Sequence, residues 1–268
     1  MRSPEDVAEP RPVTESPGRI IAHRGASGEA PENTLSAFRA AAGAGASWVE
    51  FDVSLLGDET PVVIHDHTLG RTTNRRGRLS RLRRADLEGI DTGSWFGAAF
   101  AGERLATLEE ALAEIAALDL SANLEIKPHR APVEPVARVV AGALAACRPW
   151  STRQVLVSSF DVGALAAFRH HLDDQPLALV CHRPAPRWPE VLRDLGAASF
   201  HVDIRHLEPR TLERAQAEGV DLRVFTANDP ERMVPWRRAG ISGIITDHPR
   251  RYLDDPDWAA WARSAQAA

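Results

Sequence analysis

Ile20-Ile21-Ala22-His23-Arg24-Gly25 is a short apolar run that ends abruptly in ionisable residues, and Pro31-Glu32-Asn33-Thr34 follows it. Such a run reads as a buried strand whose C-terminal end opens into a site. Asn33 or Thr34 can cap the helix that comes next, on which Leu35, Phe38 and Ala42 share a face. The chain thus begins as strand, chemical loop, helix. The same ending recurs downstream. Glu50-Phe51-Asp52, Val62-Val63-Ile64-His65-Asp66 and Leu124-Glu125-Ile126-Lys127 each close an apolar run with charge.

Outward from these runs, strands and helices alternate. Strands are predicted over 20–22, 47–53, 123–126, 154–158, 177–180, 199–202, 222–225 and 243–245. Helices are predicted over 34–43, 133–146, 162–171, 190–195, 209–218, 230–239 and 258–263. Another starts at Thr107, where Glu110 completes a capping box. Eight parallel strands with helices between them make a (β/α)8 TIM barrel, an α/β fold. The run 61–64 does not fit the alternation. Only six residues, 55–60, precede it, and a parallel crossover needs about a dozen. It is therefore a hairpin arm that folds His65 back over the barrel mouth. Residues of about 54–106 form an insertion, with Asp66 to Arg104 as a small cap.

The length of 268 residues suits one barrel domain over 19–268. Hydrophobic residues at 44% and charged residues at 26% are the balance of a soluble globular chain. A net charge of −5 points away from nucleic acid. Residues 1–18, with four prolines and no apolar core, read as a disordered tail rather than a signal peptide. No run is long and apolar enough to insert stably in a membrane. Two distant cysteines, Cys147 and Cys181, make neither a disulfide framework nor a zinc site, and a cytoplasmic location is the simpler expectation. Arginines at 71, 75, 76, 78, 81, 83 and 84 form either a solvated face or a positive rim for anionic diesters.

The charged strand ends are the residues that can carry chemistry. Glu50 and Asp52 are two apart, so a strand turns both to one side. With Glu125 they form an all-oxygen set that suits Mg²⁺ or Ca²⁺ rather than zinc, and three crowded carboxylates repel one another without a cation. His23 and His65 are an acid–base pair, since imidazole titrates near neutral pH. Arg24 and Lys127 can hold phosphate oxygens, or Lys127 can simply balance the carboxylates.

Taken in order and at their spacings, these motifs resemble the glycerophosphodiester phosphodiesterase family. The set also includes Arg71-Thr72-Thr73-Asn74, Gly93-Ser94-Trp95-Phe96 and Thr107-Leu108-Glu109-Glu110, and the resemblance runs from His23 to Pro249. It implies a TIM barrel and cleavage of a small glycerophosphodiester to sn-glycerol 3-phosphate and an alcohol. It also implies a divalent metal on Glu50, Asp52 and Glu125, with His23 on the nucleophile side and His65 protonating the leaving oxygen. The nucleophile is either water or the glycerol 2-hydroxyl, the latter by way of a cyclic phosphate.

Trp95 and Phe96 either wall the substrate's alcohol or glue the cap to the barrel. Phe160, after Ser158-Ser159, lines the pocket. Phe225 stands where the family usually has tryptophan, keeping an aromatic wall without the indole donor. Asp247 is read as structural, His67 and His129 as rim residues, and His129 and Arg130 as solvent-facing. His65-Asp66-His67 imitates the H-x-H pair of amidohydrolase barrels but sits on the hairpin. The competing readings are a lysophospholipase D, a cyclising lyase, or a non-catalytic binding barrel; the last would lack a motif residue, and none is missing.

Overall fold

The computed structural model describes residues 18–129, 131–147 and 155–264. The tail expected over 1–18, apart from Gly18, lies outside them, as do Arg130 and Gln154. The element order is β1 (Ile20–His23), α1 (Leu35–Gly43), β2 (Trp48–Leu55), β3 (Pro61–Val63), α2 (Leu108–Ala117), β4 (Ser121–Ile126), α3 (Val133–Ala146) and β5 (Val155–Ser159). It continues through α4 (Val162–His171), β6 (Leu177–Cys181), α5 (Trp188–Leu195), β7 (Ser199–Asp203), α6 (Pro209–Ala217) and β8 (Asp221–Phe225). Last come α7 (Pro230–Ala239), β9 (Gly243–Thr246), α8 (Pro249–Leu253) and α9 (Pro256–Arg263).

The parallel strands close in the order β1-β2-β4-β5-β6-β7-β8-β9, and β9 pairs back onto β1. This is the eight-stranded TIM barrel. Two layers follow from the alternation of side chains along a strand. Ile21, Trp48, Leu156, Ala178 and Ile245 pack together inside the barrel. Two residues further along those strands stand His23, Glu50, Ser158, Val180 and Asp247, so the interior turns polar toward the mouth. The intervening side chains point outward under the helices. Phe38 of α1 meets Phe51 of β2 with ring centroids 5.6 Å apart, both fully buried, each contributing about 1.5–3 kcal/mol by leaving water.

The helices start where local chemistry stops them fraying. Thr34 accepts from Ala37 N, and Thr107 and Glu110 form the expected capping box. Helix α5 begins at Trp188, two residues before its predicted start, because Trp188 stacks on Phe200 at 4.6 Å. The short α8 has no predicted counterpart; it starts at Pro249, whose fixed φ suits a first helical turn.

The insertion is a hairpin arm plus a cap, as the spacing required. β3 runs antiparallel to β2 with Val53 opposite Val63. Ile64 N then donates to Asp52 O at 3.0 Å. The cap has its own core of Leu56, Val62, Ile64, Leu69, Leu79, Ile90 and Leu105. Its return end is fastened where it began, because Val63 N donates to Ala106 O at 2.9 Å. Among the described residues, no helix is long and apolar enough to cross a membrane.

Candidate active site

A cavity of about 640 Å³ opens at the C-terminal end of the barrel, lined by His23, Arg24, Glu50, His65, Glu125, Lys127, Phe160 and Phe225, among others. The strand register brings the charged residues together. His23 pairs with Glu50 across β1–β2, and Asp52 pairs with Glu125 across β2–β4. Asp52 lies beneath the lining, 1% exposed. The loop after β1 turns through Arg24 and Gly25 at positive φ. A Cβ on Gly25 would stand 2.6 Å from the Ala37 backbone, so glycine is required there. The turn delivers Arg24 N to Glu50 Oε2 at 2.9 Å.

Glu50, Asp52 and Glu125 each offer one oxygen within 4.8 Å of the others. Glu50 Oε1, Asp52 Oδ1 and Glu125 Oε1 are buried and accept no hydrogen bond among the described residues. Lys127 Nζ forms ion pairs with Glu125 Oε1 and, at 3.1 Å, with Asp52 Oδ1. Arg24 Nε lies 3.2 Å from Asp52 Oδ2, an ion pair without hydrogen-bond alignment. Burial and the neighbouring acids push Glu50 well above the carboxylate range, and burial takes Glu125 to about 7. Asp52 goes the other way. Burial opposes its charge, but Lys127 and Arg24 outweigh burial and hold it low. The cluster thus carries more acid oxygen than its own cations satisfy, and an oxygen-seeking divalent cation fits it.

Each imidazole is held by an aspartate. His23 Nδ1 donates to Asp247 Oδ1 at 2.6 Å, and His65 Nδ1 donates to Asp66 Oδ1 at 2.7 Å. Burial lowers the His65 pKa, and Arg24 and Lys127 add to the effect against the pull of Asp52.

The sequence model of the glycerophosphoryl diester phosphodiesterase family matches residues 23–251. The chain belongs to that family. The phosphodiesterase is 34% identical over 237 residues to a glycerophosphodiester phosphodiesterase of Caldanaerobacter subterraneus, covering 88% of this chain and 96% of that one. Its fold superposes on an Oleispira antarctica phosphodiesterase solved with the product sn-glycerol-3-phosphate. The TM-score is 0.84 at 30% identity, over 93% and 97% of the two chains. A Thermotoga maritima glycerophosphodiester phosphodiesterase superposes with a TM-score of 0.71 at 26% identity, over 90% and 99%.

Across the cavity the phosphodiesterase is aromatic. Phe160 meets the His182 ring at 4.7 Å and Phe225 at 5.8 Å, and Lys127 Nζ stands 5.2 Å from the Phe160 centroid. His182 Nδ1 donates to Asp203 Oδ2 at 3.2 Å, and Arg205 grips the same carboxylate. Trp95 and Phe96 are not among the lining residues. The Trp95 indole donates to Thr92 O at 2.7 Å, and Phe96 packs edge-on between Trp95 and Phe100. Glu103 fastens the cap to α1, accepting from Ser36 N and Oγ.

One further reading changes. Asp247 is more than a scaffold residue, because it is the His23 partner and also accepts from Ser27 Oγ and Asn228 Nδ2. His129 stays exposed at the rim, as expected, but its ring is tied down: Ser54 Oγ donates to Ile64 O and so accepts from His129 Nε2, and partial burial lowers the His129 pKa to about 4. His67 stays exposed at the cavity rim. Glu32, Asn33, Asp66, Asp203 and His182 are site neighbours that the sequence did not single out. Glu32 and Asn33 lay in plain view in the Pro31–Thr34 motif, whereas His182 and Asp203 had no motif to mark them.

Proposed function

We propose that this chain hydrolyses small glycerophosphodiesters to sn-glycerol 3-phosphate and an alcohol, with Mg²⁺ or Ca²⁺ on Glu50, Asp52 and Glu125 and with His23 and His65 exchanging the protons. One observation carries the reading. Two aspartate-held imidazoles line the same cavity as a cluster of three carboxylates, each keeping one buried oxygen outside any aligned hydrogen bond among the described residues. The product named for the Oleispira neighbour supports the choice of substrate.

A divalent cation in that cluster would neutralise phosphate charge and acidify an attacking hydroxyl. The protein's own groups do the rest. Both histidines have Nδ1 tied to a carboxylate, which leaves Nε2 to exchange a proton. His23 takes a proton from the nucleophile, and Asp247 stabilises the resulting imidazolium. His65 gives a proton to the departing alkoxide oxygen. Arg24 and Lys127 are the lining cations on the carboxylate side, with Arg205 across the cavity, and they also hold Glu50, Asp52 and Glu125 in register. Phe160, Phe225 and His182 supply an apolar wall with a polar edge for the carbon skeleton of the substrate. A diester lacking the glycerol 2-hydroxyl decides the route, since undiminished turnover rules out obligatory internal attack.

The test is release of sn-glycerol 3-phosphate from glycerophosphocholine by protein stripped with EDTA and then given Mg²⁺ or Ca²⁺. We expect release to return with metal and to be lost in His23→Ala. No release with either metal would overturn the substrate reading, and lysophospholipids would be tried next.

A further inference from the structure

The two histidine–aspartate pairs differ in what stands behind them. Asp247 is backed by neutral donors, Ser27 Oγ at 3.0 Å and Asn228 Nδ2 at 2.6 Å. Asp66 is backed by a guanidinium. Arg71 Nε donates to Asp66 Oδ2 at 2.7 Å, and Nη2 reaches Asp66 Oδ1 at 3.2 Å. The same guanidinium donates to both oxygens of Glu32, at 2.6 and 2.8 Å. Glu32 in turn accepts from Arg24 Nη1 at 2.7 Å. A continuous chain therefore runs from Arg24 through Glu32, Arg71 and Asp66 to His65. Arg71 itself does not line the cavity.

We infer that Arg71 is a positioning residue for the leaving-group step, fixing Asp66 and through it the imidazole of His65. This rests on the reading above that His65 protonates the departing oxygen. Two physical arguments support it. The first is mechanical. His65 and Asp66 lie on irregular backbone beyond β3, where no ladder holds them. Arg71 ties that backbone to the loop after β1 by four hydrogen bonds. Only a planar fork makes them all, so lysine cannot substitute. The second is electrostatic. A carboxylate facing an imidazolium holds its proton. A cation on the carboxylate's far side weakens that hold, so the Nε2 proton passes more readily to the ester oxygen. The balance is closed: the P–O bond breaks, its electron pair stays on the oxygen, and the His65 proton makes a neutral alcohol. The proton taken from the nucleophile ends on His23.

Such a device matters in proportion to how badly the leaving group needs a proton. Arg71→Ala and Arg71→Lys are compared on glycerophosphocholine, which expels an alkoxide, and on glycerol p-nitrophenyl phosphate, which expels a stabilised phenolate. We expect kcat on the choline diester to fall about 10–100-fold in both variants, the scale of a misplaced catalytic group. KM should stay within about 3-fold. Loss on the p-nitrophenyl diester should be much smaller, and added guanidinium should rescue Arg71→Ala on the choline diester. His65→Ala is the reference. If it costs both substrates equally, the leaving-group reading of His65 fails. If His65→Ala discriminates between them while the Arg71 variants lose both equally, or lose neither, the role given to Arg71 is wrong. Thermal melts of each variant separate loss of folding from loss of chemistry, and Arg71→Lys serves if Arg71→Ala is unfolded.

Discussion

On the β1–β2–β4 side of the mouth, Glu50, Asp52 and Glu125 crowd together, each with one buried oxygen that accepts no aligned hydrogen bond among the described residues. Across the cavity, Asp203 is equally buried, yet its oxygens are taken up by Arg205 and His182. Two arrangements of acid at one barrel end therefore serve different ends. A carboxylate saturated by its own protein fixes the shape of a wall. Carboxylates left short of donors wait for something the chain does not carry. On the proposed reading, chemistry falls to one side of the cavity and recognition of the organic group to the other.

The largest test of that division removes the acids of the first side. Asp52→Asn and Glu125→Gln should each lower kcat/KM by about 10²–10⁴-fold, the worth of several kcal/mol of charge stabilisation. Calorimetry should show that metal binding is lost alongside. Equal losses on neutralising Asp203 would break the comparison. His23→Ala should cost about 10²–10⁴-fold in kcat, the usual share of a general base, read in steady-state kinetics.

Acidity sharpens the contrast. Glu125 titrates near 7 in the folded chain and near 4.5 unfolded, so its contribution to stability is complete below about 4.5 and is lost as the pH rises through 7. Glu50 shifts in the same direction. Two histidines oppose this, since the buried His201 and the hydrogen-bonded His129, lowered to about 3 and 4, favour the fold as pH rises toward 6.5. The measurement is therefore a difference. In EDTA, the melting temperature of Glu125→Gln should overtake that of wild type between pH 5 and 8, and saturating metal should erase the crossover. Parallel curves would show that the acids are not strained.

Smaller effects lie on the aromatic side. Phe225→Ala should raise KM about 3–10-fold with kcat nearly kept, since an aromatic contact contributes about 0.5–1.5 kcal/mol. Smallest of all, Trp95→Ala should leave both constants within about 2-fold, as for other exposed positions remote from a site. A large Trp95 effect would extend the recognition wall into the cap.

The sequence pointed to the charged side of the mouth more directly than to the aromatic side. His23, Glu50, Asp52, His65, Glu125 and Lys127 end apolar runs, and a strand leaves little choice about where such residues point. The barrel itself was legible for the same reason, down to the antiparallel arm that six residues forced. Asp66 and Asp247 were visible but their task was not, because a hydrogen bond across 224 positions, as between His23 and Asp247, leaves no local trace. His182 and Asp203 come from adjacent strand ends whose sequence carries no motif. Trp95 and Phe96 lie off the cavity lining, in a stretch that Asp91 coils on itself by accepting from the backbone of Gly93, Ser94 and Gly102.

The cap departs from β3 and returns beside it, with Val62 bridged to Thr107 and Val63 N bonded to Ala106 O. Its two ends are therefore neighbours, and its interior packs on residues of its own. A segment built this way is a cassette. It can be lengthened, shortened or exchanged between relatives without reopening the barrel, as long as its hydrogen-bonded ends and the His65–Arg71 stretch come with it. Grafting another family member's 75–103 segment onto this barrel should leave both the carboxylate cluster and the aromatic wall in place, since no residue of that segment lines the cavity.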